Sequence, residues 1–368
     1  MSKIGILSMQ RIINYGSFLQ AFALKSMLES LGHQVEFVDY HPGKTLSPVT
    51  GKFRKAYNIM KLNAPLSHRI QYLNFKRQFA GKYHSSLGLN VNPNYQAEVD
   101  ILVIGSDEVF NCTQDNPDVG YAPELFGSGN HAGKVITYAA SFGNTTLDKL
   151  DKYEKTPEIA SLLSQIKSFS VRDENSQNII RSLTGRIPEV HLDPVLIYDY
   201  IGKCSLPRID TRTKYLLLYA YPGRITDAES EWIRDYAAWK GLKIYAAGGV
   251  QRYADRLITC SPFELLSYFA NAQEVITDTF HGTIFSVITR RPFVSIIRKS
   301  IGGSYGNEEK LTDLLKRLDL SDRYVRSIYE THDIMKREIN YQKTEQIIAV
   351  QRRKTEEYFR KETGRTGS

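Results

Sequence analysis

The stretch "KIGILSMQRIINYGSFLQAFALKSMLESLGHQVEFVDY" (residues 3–40) decides the reading of the fold. "KIGILSM" is an apolar run of strand length. In "YGSFLQAFALKSMLESLGH", Phe18, Phe22, Leu24, Met27, Leu28 and Leu31 recur at helical spacing, and Gly32 closes the helix as its C-terminal glycine. "QVEFVDY" is a second strand. Strand, helix and strand in so short a span predict a parallel pair joined by a crossover helix.

Outward from there the pattern repeats. Strands are predicted at 100–106 ("DILVIGS"), 134–141, 167–173 and 188–193, with helices between them, which makes a doubly wound α/β domain. The polar, proline-bearing "CSLPRIDTRT" (204–213) predicts a boundary. Alternation then restarts with a strand at 214–221 ("KYLLLYAY") and a helix at 227–241, opened by Asp227 and closed by Gly241. A strand "LKIYAAGG" follows, then a helix at 261–272 with Ser261 as cap and Pro262 in first position. "EVITD", "GTIFSVITR" and "PFVSII" read as strand, helix and strand. The charged segment at 338–362 predicts a long helix packing back on the first domain. The expected division is 1–205, with a basic helical insertion at about 51–83, then 206–330, then 331–368.

Hydrophobic content of 42% and charged content of 24% are ordinary for a folded soluble protein and exclude disorder. No apolar run has membrane-spanning length, and the opening residues lack a signal-peptide core. Cys112, Cys204 and Cys260 are scattered, with neither metal spacing nor a disulfide framework, so a reducing cytoplasm is expected. The formal charge is +8, yet from Tyr40 to Ala97 there are nine Lys and Arg and no acidic residue. One basic segment thus carries the whole excess, which argues against general nucleic-acid affinity. In that segment "LSHRIQYLNFKRQF" (66–79) is expected to set Leu66, Ile70, Leu73 and Phe75 near one helical face, flanked by Arg69, Lys76 and Arg77. Such a helix either lies on an anionic membrane surface or is a solvated helix with an ordinary buried face.

No dinucleotide fingerprint, P-loop, H-E-x-x-H or G-x-S-x-G motif occurs. "AAGGV" (246–250) reads as a turn. "SIGGSYGN" (300–307), beside Arg298 and Lys299, either wraps an anion or is a mobile loop. Ligands of open parallel sheets bind beyond the carboxyl ends of the strands. The polar clusters at such ends are "NYGS" (14–17), "GSDEVFN" (105–111), "AASFGN" (139–144), "VRDENS" (171–176), "HLDP" (191–194) and "TDTFHGT" (277–283). Arg172 is either held by its acidic neighbours Asp173 and Glu174 or presents a guanidinium to a carboxylate or phosphate. Asp193 is a turn residue before Pro194 or a functional carboxylate. Asp107 is a cap for a following helix or a base. His281 is a buried polar residue or a chemical group at a strand end.

Taken in order, "NYGSFLQAFALKSMLESLGHQVEFVDY", "VIGSDEVFN", "TYAASFG", "SVRDENS", "LDPVL" and "ITDTFHGTIFSVITRRPFV" resemble the polysaccharide pyruvyl transferase family, from Lys3 to about Leu320. The resemblance implies two Rossmann-like domains with mainly parallel sheets in a GT-B-like arrangement. It also implies transfer of pyruvate from phosphoenolpyruvate onto two hydroxyls of a hexose as a ketal, during surface polysaccharide assembly (capsule or exopolysaccharide). Phosphoenolpyruvate is then the donor substrate, with no cofactor and no metal. By motif, His281 and Arg172 match the family's donor-binding histidine and arginine. Gly282, Thr283, Thr279, Arg298 and Lys299 are further expected donor contacts, with the choice between Arg298 and Lys299 open. Asp107 and Asp193 are the expected acid or base. Asn14, Tyr15, Gly16, Ser106, Asp107 and Ser141 are the expected acceptor side.

Some members carry an arginine two residues before the histidine, where this chain has Thr279. A hydroxyl donates a hydrogen bond but neutralises no charge, so either Arg298 and Lys299 compensate or the donor is held differently. The acceptor is expected to be a sugar on a lipid such as undecaprenyl diphosphate, with the enzyme peripheral at the inner face of the cytoplasmic membrane. Two rival readings stand beside this one. One is a GT-B glycosyltransferase using a nucleotide-sugar, with Glu264 as the ribose carboxylate. The other is a non-catalytic sugar-binding relative.

Overall fold

The structure, a computed structural model, describes residues 1–47, 52–210, 212–299 and 306–364, with the backbone alone for 52–55. By its contacts the chain divides into two units. Unit 1 is Met1–Gly51, Gly81–Tyr198 and Ile348–Ser368, and unit 2 is Lys52–Ala80 and Asp199–Ile347. Most of the "SIGGSYGN" loop, residues 300–305, lies outside the described residues.

The chain runs β1 (Lys3–Leu7), α1 (Tyr15–Ser30), β2 (Gln34–Phe37), α2 (Lys52–Lys61), α3 (Leu66–Leu87), β3 (Ile101–Asp107) and β4 (Lys134–Ala140). Then come α4 (Leu147–Lys152), α5 (Thr156–Ser164), β5 (Ser170–Val171), α6 (Glu174–Thr184), β6 (Glu189–Val190) and α7 (Pro194–Ile197). Next are α8 (Tyr200–Lys203), β7 (Tyr215–Tyr219), α9 (Asp227–Trp239), β8 (Lys243–Ala247), β9 (Arg256–Leu257), α10 (Pro262–Asn271) and β10 (Glu274–Thr277). The chain ends with α11 (Phe280–Ile288), β11 (Phe293–Ile296), α12 (Glu308–Arg317), β12 (Tyr324–Val325), α13 (Thr331–Met335) and α14 (Tyr341–Thr363).

Unit 1 holds one six-stranded sheet, in the order β2-β1-β3-β4-β5-β6. Unit 2 holds another, in the order β12-β11-β10-β7-β8-β9. Among the described residues every ladder is parallel. Parallel sheets covered by helices are buried on both faces, which is why β7 reads as the unbroken "YLLLY" with all its residues buried. In each sheet the chain first builds outward on one side and then returns to the other. The order reverses between β1 and β3 in unit 1 and between β7 and β10 in unit 2. A crevice beyond the strand ends opens at such a reversal.

The structure differs from the sequence expectations at several points. Helix α9 is opened by Thr226, not Asp227: Thr226 and Glu229 form a reciprocal capping box. Strands β9 and β12 escaped the sequence reading because each has only two residues. In α3 the apolar residues split between faces. Tyr72 and Phe79 are buried, and the Phe75 ring packs 5.5 Å from that of Phe79, while Leu66 and Ile70 are exposed. The 52–80 stretch also groups with unit 2. Tyr72 joins the apolar core of unit 2, and the Gln71 amide donates to Leu257 O (3.1 Å) and Thr259 Oγ1 (2.8 Å). From Ile348 onward α14 belongs to unit 1. There Tyr358 donates to Thr137 O (2.8 Å) and Arg352 to Ile197 O (2.6 Å).

Candidate functional site

At the strand ends of unit 1 the backbone itself is unusual. Gly105 has φ +122, and a Cβ there would sit 2.3 Å from Tyr138 O, so only glycine fits beside β4. Asp107, the last residue of β3, takes a left-handed φ of 73. That conformation is uncommon for a residue with a side chain, though aspartate tolerates it. No helix follows directly for Asp107 to cap, since the next helical turn begins at Pro123. Its Oδ2 instead accepts the Ser17 hydroxyl at 2.7 Å, across the β1–β3 reversal.

Arg172, just past β5, bonds Asp193 Oδ2 at 2.8 Å and Asp107 Oδ1 at 3.3 Å. These two hydrogen-bond partners are carboxylates remote in the chain. Asp173 is engaged elsewhere, capping α6 and accepting the Ser141 hydroxyl at 2.5 Å. Asp193 combines both readings, because its Oδ1 caps α7 while its Oδ2 takes the guanidinium. The Ser106 hydroxyl lies 3.4 Å from Asp193 Oδ2 and donates to Ala139 O at 3.1 Å. Burial opposes the charge on Arg172, but the attraction of Asp107 and Asp193 more than offsets it and holds the pKa above the ordinary value. The Asp107 side chain keeps 13% exposure and that of Asp193 none. Asn14 caps α1 by accepting from Gly16 N, and Tyr15 and Gly16 are buried in its first turn.

In unit 2 the reversal lies where "ITDTFHGT" meets the loop after β7. Thr277 Oγ1 donates to Tyr219 O at 2.7 Å and ties β10 to β7. Thr279 is the N-cap of α11 and its Oγ1 accepts from Gly282 N at 2.9 Å. The Thr283 backbone N–H is held by Thr279 O (3.1 Å), and its hydroxyl donates to the same oxygen and pairs with Ser295 Oγ. Three expected donor contacts, Thr279, Gly282 and Thr283, are thus engaged in building the cap. His281 sits in the first turn of α11, buried, its ring 5.6 Å from that of Phe280 and 6.1 Å from that of Phe285.

The charges around this turn include groups that the sequence reading passed over. Asp278 is fully buried, and neither of its carboxylate oxygens has a hydrogen-bond partner among the described residues. Burial raises its pKa, and the attraction of Arg224 and Arg298 offsets this only in part. Arg224, in the loop after β7, lies 3.8 Å from Asp278 Oδ2 and 4.6 Å over the Tyr221 ring, with 24% of its side chain exposed. Arg298 instead grips Glu229 with two hydrogen bonds, at 3.1 and 3.0 Å. Burial pushes Glu229 up, but these bonds and those of Thr226 outweigh it and leave the carboxyl below its usual range. Lys299 is exposed. Arg224 and Ser17 were findable by position, each following the strand that starts its sheet's reversal. Asp278 stood inside a quoted cluster, but burial cannot be read from one sequence.

The comparisons follow this geometry. No curated protein matches the chain by sequence. S. aureus MnaA, in its co-structure with UDP, has a TM-score of 0.51 at 8% identity, covering 94% of this chain and 90% of that one. Methanocaldococcus jannaschii UDP-GlcNAc 2-epimerase, with UDP-GlcNAc and UDP, has 0.48 at 12%, covering 95% and 99%. E. coli heptosyltransferase WaaC, with ADP-2-deoxy-2-fluoro heptose, has 0.39 at 12%, covering 83% and 90%. At such identities the MnaA likeness is one of fold, and it agrees with two Rossmann-like units. The polysaccharide pyruvyl transferase model matches residues 14–300, a span that includes Asp107, Arg172, Asp193, Arg224, Asp278 and His281. The chain therefore belongs to the polysaccharide pyruvyl transferase family.

Proposed function

We propose that the protein moves the pyruvyl group of phosphoenolpyruvate onto two hydroxyls of a hexose, in a surface polysaccharide or its lipid-linked precursor. Membership of the family carries this reading. The methylene carbon of the donor takes a proton while a sugar hydroxyl adds to C2 and gives up its own proton. A second hydroxyl then displaces phosphate, loses its proton and closes the ketal. The net products are the ketal and inorganic phosphate, so the chemistry needs an acid, a base and clamps for two anionic groups.

Arg172 and His281 are assigned to the donor, with His281 as the acid that protonates the methylene carbon. Asp107 is assigned as the base, because its side chain retains exposure and already accepts a hydroxyl, whereas that of Asp193 is enclosed. Asp193 orients Arg172. Thr279 serves as a cap and brings no charge. Arg224 is the cation assigned to the missing arginine's task, because it is partly exposed at the β7–β10 reversal, while Arg298 is engaged by Glu229.

The test is incubation with phosphoenolpyruvate and lipid-linked galactose, mannose or glucosamine. Phosphate release and a gain of one pyruvyl mass on the sugar are expected. Turnover with a nucleotide-sugar and none with phosphoenolpyruvate would overturn the reading in favour of a glycosyltransferase. Binding of sugar with no turnover of either donor would point to a non-catalytic relative.

A further inference from the structure

The basic segment supplies a surface that the chemistry above does not use. Two of its features are independent of each other. The first is charge: from Tyr40 to Ala97 there are nine Lys and Arg and no Asp or Glu. The second is exposed apolar area. Tyr57 is 56% exposed, Met60 37%, Leu66 53% and Ile70 48%. All four large side chains fall within one short helix pair, the end of α2 and the start of α3. Singly, such exposures are ordinary; gathered on one short helix pair they mark an interaction surface.

The local geometry holds the group together. Leu66 and Ile70 are one turn apart on α3, and Arg77 continues their line two turns further on. The opposite face, through Tyr72 and Phe79, is the buried one. Arg69 donates to the carbonyl of Met60 and so ties the end of α2 to the first turns of α3. Lys61 lies 4.4 Å over the Tyr57 ring, pairing a cation with an exposed aromatic. The remaining apolar residues of this turn, Ile59, Leu62 and Ala64, pack inward on the unit 2 core and fix the support. The helix pair is therefore tied together, with exposed apolar side chains beside Lys61, Arg69 and Arg77.

We propose that this face docks on an anionic lipid bilayer. Leu66, Ile70, Met60 and Tyr57 enter the headgroup boundary, and Lys61, Arg69 and Arg77 meet the lipid phosphates. Exposed apolar side chains beside cations, in a segment without an acidic residue, suit a bilayer, which offers apolar depth beneath negative charge. A soluble polyanion would be served by the cations alone. Docking is separate from the activity assigned above and is measured without turnover.

The experiment is flotation of the full chain with phosphatidylcholine vesicles, with and without phosphatidylglycerol. Partition is expected to be about tenfold higher with the anionic lipid and to fall as salt is raised. Leu66→Ser with Ile70→Ser, and separately Lys61→Glu with Arg77→Glu, should each cut it about tenfold. These side chains are exposed, so the melting temperature should hold. Flotation of either double variant at the wild-type level overturns the proposal, as does equal binding to neutral vesicles or none to either. Loss on charge reversal alone means attraction to surface charge without entry of the apolar side chains, which likewise overturns the proposal. A wild-type dimer that the apolar variant converts to monomer, with no flotation, assigns the face to a second copy.

Discussion

Arg172, Asp107 and Asp193 form a buried charge group whose parts depend on one another. Removing one partner from such a group leaves the others uncompensated and costs about 3–5 kcal/mol. Arg172→Met is expected to lower the unfolding free energy read by urea titration by that order and to abolish phosphate release. Arg172→Lys keeps the charge but not the two-pronged contact, so it should fold better than the Met variant while remaining poorly active. Asp278 gives the opposite sign. Its folded-state pKa is raised, so the ionised form is the disfavoured one in the folded chain. That cost is absent below the ordinary aspartate range near about 4 and complete above the folded value. Asp278→Asn should therefore stabilise the protein by about 1 kcal/mol at neutral pH and leave it unchanged in acid, as read by urea unfolding at two pH values. If Asp278 serves Arg224, donor affinity should fall as stability rises, since functional sites are often held at a cost to stability.

Among the elements, α11 concentrates the tightest constraints. A Cβ on Gly282 would lie 2.2 Å from Thr277 Oγ1 and 2.6 Å from Thr279 Oγ1, inside the cap itself. Gly282→Ala should cost about 1–3 kcal/mol by overpacking and lower the melting temperature. Thr279→Ala removes the cap and the hydroxyl contact with Thr277 and should cost about 1–2 kcal/mol. The same element shows how far a sequence can be read. The strand–helix transition at "ITDTFHGT", the Ser261 cap of α10 and the Gly32 and Gly241 terminators were legible, because each rests on local backbone chemistry. The true opening of α9 at Thr226 was legible too, through Glu229 three residues on, but Asp227 competed for the same role. The exposed face of α3 was not legible. Leu66, Ile70 and Leu73 satisfy helical spacing while Phe75 lies half a turn from Leu66, and only the neighbours decide which side is covered.

At the level of the whole molecule, α14 closes unit 1 with residues far along the chain. Tyr358 and Phe359 are buried, and Lys134 pairs with Glu362 at 2.7 Å. Loss of a buried aromatic side chain costs about 3–5 kcal/mol, against a total of about 5–15 kcal/mol for a domain. A chain truncated after Ile347 should therefore lose folded unit 1, seen as reduced helical circular dichroism and rapid proteolysis of its fragments. A truncated chain that melts like the full one would count against this role for α14.

By itself the sequence determined the alternation of strands and helices, the two doubly wound sheets and the family motifs at the strand ends. These follow from periodicity, caps and glycines, which act over a few residues. Only the tertiary structure decided which charges meet. It gave Arg172 to Asp107 and Asp193, and Arg298 to Glu229. It left Arg224 beside Asp278 and assigned the basic helices to the second unit. The physical reason is that strand order, not chain order, sets the neighbours at a sheet's edge. The reversals between β1 and β3 and between β7 and β10 bring Ser17 to Asp107 and Arg224 to Asp278, while the side-by-side ends of β3 to β6 gather Asp107, Arg172 and Asp193, and no local pattern couples any of these.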